Sequence, residues 1–266
     1  MREDQADIQS GSPGAGEDTM PRGKPKIFIG TSGWTYDDWQ GIFYPESLPA
    51  AERLEYYAQH FPTVELNASF YRLPTETMIN SWNRRLPKTF HMAVKGWRSV
   101  THLAKLLNCE EPLHTFLARV EPLQTLRVIL WQLPPSLHFD PERLDGFLKQ
   151  LPEKFRYAVE FRHASWWREE TGEILARHKV AFVAVSHPRL PPDVFPTTDF
   201  LYLRFHGLGK QLYRYNYSTQ ELQEWVERLR PYVKSHTIYA YFNNDWEGHA
   251  IRNAREFQAL LSDNQS

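Results

Sequence analysis

Residues 201–206 read LYLRFH, and residues 90–95 read FHMAVK. A strand buried on both faces should be a near-continuous apolar run. These two begin that way but end on Arg204 and His206, and on Lys95. The ending recurs at Val64–Asn67, Val128–Gln132, Tyr157–Arg162 and Ile238–Asn243. There the apolar stretch runs out into Asn67, Gln132, Glu160, Arg162 and Asn243. Desolvating so many polar groups costs free energy unless they pair or face water. In a parallel sheet they gather at one end, and that end is a pocket.

Outward from these runs the chain alternates. Strand patterns lie at 26–30, 63–67, 90–95, 126–132, 156–161, 180–185, 200–205 and 237–242. Helical patterns fill most of the gaps. One covers 50–60, one is led by Thr75 and ends before Pro87, and others cover 112–122, 140–151 and 249–262. Asp140 caps its helix with Pro141 at the first helical position. Ser218 with Glu221 three residues on is a capping box. Eight alternating strands predict an α/β fold, a (β/α)8 TIM-like barrel, ahead of the runner-up, an open doubly wound sheet. Between strands six and seven, Pro188, Pro191, Pro192 and Pro196 forbid a regular helix, so a Pro-rich loop replaces it. Residues 1–25 are Gly, Ser, Pro and charge and read as a disordered tail. Residues 26–266 read as a single barrel domain. Met20 is a candidate start, which would leave residues 1–19 outside the native protein.

Composition bounds the function. The 266 residues are 41% hydrophobic and 24% charged, which suits a soluble domain with a sizeable core. A net charge of −1 gives no global pull towards nucleic acid or an anionic membrane, though a local basic patch stays open. The single cysteine, Cys109, allows no internal disulfide and reads as a bystander in a reducing compartment. No apolar run approaches the ~20 residues of a membrane helix, and no signal-peptide core is present. The expectation is a cytoplasmic protein with no membrane partner.

Residues two apart on a strand share a face. Glu65 therefore points with Asn67, Glu160 with Arg162, Arg204 with His206, and Tyr241 with Asn243. Glu160 reads as a general acid or base, or equally as half of a structural ion pair. Lys95 reads as an anion binder, a base or a Schiff-base nucleophile, against a snorkelling lysine paired to Glu65 or Glu160. Arg204 would stabilise negative charge, and His206 would shuttle protons. Asn67, Gln132 and Asn243 would orient substrate hydroxyls or a base. Loop aromatics including Trp34, Tyr36, Tyr71 and Trp166 divide between core and pocket rim. Glu65, Glu160, His163, His206 and Asp245 supply ligand types for a divalent metal, but no tight ligand spacing such as HExxH singles out a site. There is no nucleotide-cofactor motif of the GxGxxG or GxxxxGK[ST] kind and no G-x-S-x-G elbow.

The blocks GTSGWTYDDWQGIFYP, VELNASFYRLP, FHMAVKGWRSVTH, LWQLPPSL, AVEFRHASWW, YLRFHG, YSTQELQEW and YFNNDWEGHAIRNA occur in this order. In that order they resemble the DUF72 (YecE-like) family over roughly residues 27–262. The resemblance implies a TIM-like barrel and a shared pocket rather than a particular reaction. Its family-like positions are Trp34, Tyr36, Asn67, Phe70, Tyr71, Lys95, His102, Gln132, Glu160, Arg162, His163, Trp166, Arg204, His206, Asn243, Asn244, Asp245 and Asn253. One departure is Ser186-His187-Pro188, where relatives often carry an Asp-Ser-Pro-like turn. At fold level alone the family is similar to sugar isomerase and endonuclease IV barrels.

These readings converge on an enzyme, a hydrolase or lyase, acting at the C-terminal mouth on a polar sugar- or nucleotide-containing substrate. The expected partner is a small polar or phosphorylated ligand. Two alternatives stand beside it. One is a nucleic-acid-binding protein or metal-dependent phosphodiesterase related by fold to endonuclease IV. The other is a non-catalytic small-molecule-binding barrel.

Overall fold

The apolar runs become strands: β1 Ile27–Thr31, β2 Thr63–Leu66, β3 His91–Lys95, β4 Leu126–Gln132, β5 Tyr157–Glu160, β6 Ala181–Ser186, β7 Phe200–Phe205 and β8 Thr237–Phe242. The protein is seen here as a computed structural model that describes residues 26–263. The disordered-tail reading of residues 1–25 lies outside the described residues. Every strand pair is parallel, in the order β1-β8-β7-β6-β5-β4-β3-β2.

The two ends of that order meet, which decides for the barrel over the open sheet. The seam between β1 and β2 is closed by a parallel bridge between Ser32 and Glu65. Lower in the seam a side chain replaces the ladder. The Tyr57 hydroxyl accepts from the Thr31 N–H at 2.8 Å and donates to the Thr63 carbonyl at 3.1 Å. A Cβ on Gly30 would sit 2.1 Å from that carbonyl oxygen, so only glycine permits the approach.

Helices α1 Arg53–His60, α2 Glu76–Arg85, α3 Glu110–Val120, α4 Pro141–Leu148, α5 Glu169–Arg177, α6 Thr219–Leu229 and α7 His249–Asp263 surround the strands. The caps form as the sequence implies. Thr75 accepts from the Met78 N–H at 3.2 Å, Asp140 accepts from the Arg143 N–H at 3.1 Å, and Ser218 and Glu221 make the reciprocal box. Helix α5 is an addition to the sequence reading. Gly172 interrupts its short pattern, yet Thr171, Ile174 and Leu175 are buried on one face. No helix lies between β6 and β7. The Thr197 hydroxyl instead donates to the Val180 carbonyl at 2.7 Å and accepts from the Phe182 N–H at 2.9 Å, tying the loop to the start of β6.

Apolar packing forms two separate bodies. The larger fills the space between strands and helices and includes Trp39, Trp131, Phe205 and Phe257. The smaller fills the bore with Phe28, Ala93, Val128, Leu130, Ala158, Val183, Tyr202, Tyr239 and Tyr241. At the N-terminal pole Phe28 stacks on His91 at 3.8 Å, and His91 Nδ1 lies 3.0 Å from the Tyr239 hydroxyl. Among the described residues no helix is long and apolar enough to cross a membrane.

Candidate active site

Strand alternation carries Glu65, Lys95, Glu160 and Arg204 to the C-terminal end of the bore. Bonds across the bore fix their positions. The Tyr202 hydroxyl on β7 donates to Glu65 Oε2 on β2 at 2.6 Å, although the two strands are not neighbours.

Arg204 sits at the centre. Its Nε and Nη2 donate to Glu65 Oε1 at 3.1 and 2.6 Å, and its Nη1 donates to Glu160 Oε2 at 2.5 Å. The Ser32 hydroxyl adds a bond to Glu65 Oε1 at 2.7 Å. Arg162 forms an ion pair with Glu160 Oε1. Glu65, Glu160, Arg204 and His206 are each 1% exposed or less. Burial alone would raise the Glu160 pKa. The Arg162 and Arg204 guanidinium groups outweigh it and hold the carboxyl well below its usual range. Glu160 is therefore an ionised, fully engaged carboxylate. That favours the ion-pair reading over the acid/base one.

His206 is held well below the usual imidazole range, by burial first and then by Arg162. Its Nε2 is met by Arg162 Nη2 at 3.0 Å and by Glu160 Oε1 at 3.1 Å. One contact needs a bare nitrogen and the other an N–H, so the neutral ring satisfies one at a time. The Asn243 amide, 3.2 Å from Nδ1, must turn with the tautomer. Just beyond, a Cβ on Gly207 would lie 2.0 Å from the Leu212 carbonyl oxygen, and its φ of +97° suits glycine alone.

Lys95 differs from every other charge in the bore. Its Nζ lies over the Phe70 ring, 4.3 Å from the centroid, and has no hydrogen bond or ion pair among the described residues. Glu65 and Glu160, the partners a snorkelling lysine would take, are occupied by Arg204, Arg162, Ser32 and Tyr202. Burial, then Arg204, pushes the Lys95 pKa down to about 7 against the pull of Glu160 and Glu65. Near neutral pH a large share of the amine is unprotonated.

Several donors at the mouth are free to meet a ligand. Arg162 has Nη1 free of hydrogen bonds among the described residues. Asn67 makes only a long contact through Oδ1, 3.5 Å from Arg204 Nη2, which leaves its amide N–H groups available. His102 sets its edge against Phe70, with ring centroids 4.7 Å apart, and uses Nδ1 on the Thr101 hydroxyl at 2.9 Å. Burial, then Lys95, lowers its pKa to about 4. Gln132 pairs in register with Glu160 and donates to the Leu133 carbonyl at 3.2 Å. On the β8 side, burial raises Asp245 to about 6, opposed by Tyr36 and reinforced by Asp38.

A family model described as "Protein of unknown function DUF72" matches residues 28–266. The chain belongs to the DUF72 family. The UPF0759 protein YunF of Bacillus subtilis is 27% identical, over 88% of this chain and 94% of YunF. The UPF0759 protein YecE of Escherichia coli K12 is 26% identical, over 79% of this chain and 86% of YecE. A crystal structure of a DUF72 family protein from Thermotoga maritima superposes with a TM-score of 0.79 at 36% identity, covering 89% of this chain and 99% of that one. A DUF72 family protein from Enterococcus faecalis, 22% identical, reaches a TM-score of 0.76 over 89% of this chain and 95% of its own, and shares the fold.

In this DUF72 chain most of the sequence-predicted residues fall into three groups. Lys95, Glu160, Arg162, Arg204, His206, Asn67 and Asn243 meet in one network or beside it. Tyr71, 70% exposed, stands at the rim with its ring 4.9 Å from Phe70. Trp34, Trp166 and Asn244 do not serve the pocket surface. Trp166 is fully buried and donates to the Leu137 carbonyl at 2.9 Å. Asn244 is buried against Asn253 and the Tyr215 carbonyl, both at 2.8 Å. Trp34 packs edge-on to Trp82. These three are corrections to the binding list, because each is buried: Trp34 and Trp166 pack in the core, and Asn244 spends its amide N–H groups on Tyr215 and Asn253 while its Oδ1 is buried without a partner among the described residues. His163 stacks on His138 at 3.8 Å and bonds Ser165. Tyr36 donates to the Ser32 carbonyl at 2.5 Å.

Sequence reasoning weighed Glu65 only as a lysine partner or metal ligand, gave Ser32 and His187 no role, and missed Tyr202. Carrying alternation two residues further down β7 finds Tyr202 beneath Arg204. His187 follows β6, and burial, then Arg162, lowers it to about 4. The five metal-ligand candidates do not assemble. Among the described residues no three His, Cys, Asp or Glu side chains gather as a metal site. Glu65 and Glu160 have spent their oxygens on Arg204, Arg162, Ser32 and Tyr202.

Proposed function

We propose that the mouth of the barrel is an active site, that Lys95 is its reactive group, and that its ligand is a small polar anion such as a phosphorylated sugar or nucleotide. The observation that carries this is the unpaired Lys95 amine beside two carboxylates already satisfied by arginine. A half-buried cation without a partner costs folding free energy that an apolar side chain would not. A depressed lysine pKa is the condition for a general base or an amine nucleophile at neutral pH.

Of hydrolysis and lyase chemistry, this arrangement favours the lyase. Lys95 supplies an electron pair, and Arg162, Asn67 and His102 receive negative charge. Glu160 holds Arg162 and Arg204 in place rather than trading protons. The lone buried cysteine, Cys109, suits a reducing, cytoplasmic setting.

The test is a panel of phosphorylated sugars, sugar acids and nucleotides incubated with wild type and with Lys95→Met, the products read by mass spectrometry. Turnover of a panel member should fall at least about 10³-fold in the variant, a loss typical of removing a nucleophile, with circular dichroism unchanged. Tight binding without turnover in the wild type selects the non-catalytic barrel. Equal turnover by both proteins removes the reading.

A further inference from the structure

We infer that Lys95 forms a covalent imine with a small aldehyde or ketone bearing a carboxylate or phosphate, whose anionic group rests on Arg162, Asn67 and His102. This rests on the mouth being the active site and names the substrate class it takes. Four features of the geometry point to it. The Lys95 amine ends on an aromatic floor, the face of Phe70, with no acceptor claiming it. Arg162 and Asn67 at the same mouth keep N–H groups without a hydrogen bond among the described residues, which the acceptors of an anionic ligand can take. The nearby carboxylates are locked by arginine, so neither competes for the amine or repels the incoming anion without compensation. Those same fixed negative charges lie close enough to Lys95 to favour a cation at its nitrogen once one forms.

The step balances without an oxidant or reductant. The unprotonated amine gives its lone pair to the carbonyl carbon, and the C=O π pair moves to oxygen. The oxygen takes one proton from the nitrogen and one from solvent and leaves as water. The C–O bond is broken, a C=N bond is made, and nitrogen keeps one hydrogen as a protonated iminium. In a substrate with a β-hydroxyl, the Cα–Cβ electron pair can then move into the C=N bond to give an enamine, while the β-hydroxyl loses its proton to solvent and leaves as the carbonyl of the departing fragment, which is the lyase step. Glu65 and Glu160 stabilise that iminium through space, while Arg162 keeps the anionic tail away from them.

The probes are glyoxylate, pyruvate and dihydroxyacetone phosphate, with acetone as the uncharged counterpart. Each is mixed with the whole protein and cyanoborohydride at pH 7, and the adduct is located by peptide mass spectrometry. At least one anionic probe should mark Lys95 over the exposed Lys149 and Lys154 by about tenfold or more, as a selectively unprotonated amine would. Arg162→Lys, which keeps a cation beside Glu160, and Arg162→Met should both lower labelling by the anionic probe, the Met form by about tenfold. Acetone labelling should fall less than anionic labelling in both, the small loss in Arg162→Met reflecting a cation whose charge no longer opposes protonation of Lys95. Labelling spread evenly over surface lysines overturns the imine, and so does an equal loss for anionic and neutral probes. If Lys95 stays unmarked while Lys95→Met still abolishes turnover, the imine fails and the active site stands. If Lys95 is neither marked nor needed for turnover, both fail.

Discussion

At the N-terminal pole of the bore, Phe28, His91 and Tyr239 lie ring against ring, with an imidazole–hydroxyl contact at 3.0 Å. At the C-terminal pole, Glu65, Arg204, Glu160 and Arg162 fill the same channel with charge. The lower pole is closed by neutral groups whose burial stabilises the fold directly. The upper pole stays folded only because each carboxylate meets a guanidinium, and it leaves one amine, Lys95, without a partner. One pole is a plug and the other a platform, built on the same strands by alternating the same face. In parallel barrels the C-terminal face is where chemistry sits and the N-terminal face serves stability. Here the division is visible in which charges are compensated.

The sharpest way to break this contrast is Arg204→Met. It leaves two fully buried carboxylates without their shared cation, and removing one partner from such a network costs about 3–5 kcal/mol. Calorimetry should show a fall in Tm of roughly 10 °C or more, or loss of the folded state. A loss below about 1 kcal/mol would mean that the network carries little weight. Acid should expose the same network in the wild type. Glu160 has its folded pKa depressed, so its stabilisation is present above the ordinary carboxylate pKa of about 4.3. It drains away as pH falls from there towards the folded value. Urea titrations between pH 5 and 3 read that slope, and Glu160→Gln should flatten it.

Lys95→Met should act in the opposite direction. The folded protein binds the Lys95 proton more weakly than the unfolded chain does, with a folded pKa of about 7. Below pH 7 the wild type bears the full cost of burying the ammonium. As pH climbs from 7 towards the unfolded value near 10, that cost fades. The variant should therefore be more stable than wild type by about 1–3 kcal/mol at pH 6, the gain shrinking by pH 9. A variant less stable at both values would make Lys95 a structural residue.

The smallest effect belongs to the lower pole. Burial first, then Arg127 and Lys26, lowers His91 to about 4. This ring costs stability as pH drops from about 6.5 to 4, while above that window it costs nothing. His91→Phe, which keeps the stack on Phe28, should leave stability at pH 7 nearly unchanged. It should remove about 1 kcal/mol of acid sensitivity, discounted because the ring is partly exposed. Chemical denaturation at pH 7 and pH 4.5 compares the two proteins. An equal pH response would place the lower pole's acid sensitivity elsewhere.

Much of this was readable in advance where the physics is local. Strands β4, β7 and β8 run over 126–132, 200–205 and 237–242, the ranges their apolar patterns imply. Proline removed the helix after β6, and serine and aspartate capped α6 and α4. Helix α5 was not readable because Gly172 and a short stripe weaken the periodic signal. The role of Glu160 was not readable either. An acid and half of an ion pair look alike until the positions of Arg162 and Arg204 are known. Trp166 and Asn244 look like pocket residues in the sequence, and only their burial, with the Trp166 N–H bonded to Leu137 and the Asn244 amide to Asn253, places them beneath the surface.

The sequence by itself determined the strands, most helices and the set of polar side chains at the strand ends, because propensity, capping and alternation act between near neighbours. Only the tertiary structure decided that Arg204 satisfies both Glu65 and Glu160 while Lys95 is left with the face of Phe70. Residues far apart in the chain set those distances, and charge compensation in a dry interior depends on distances that no local pattern encodes.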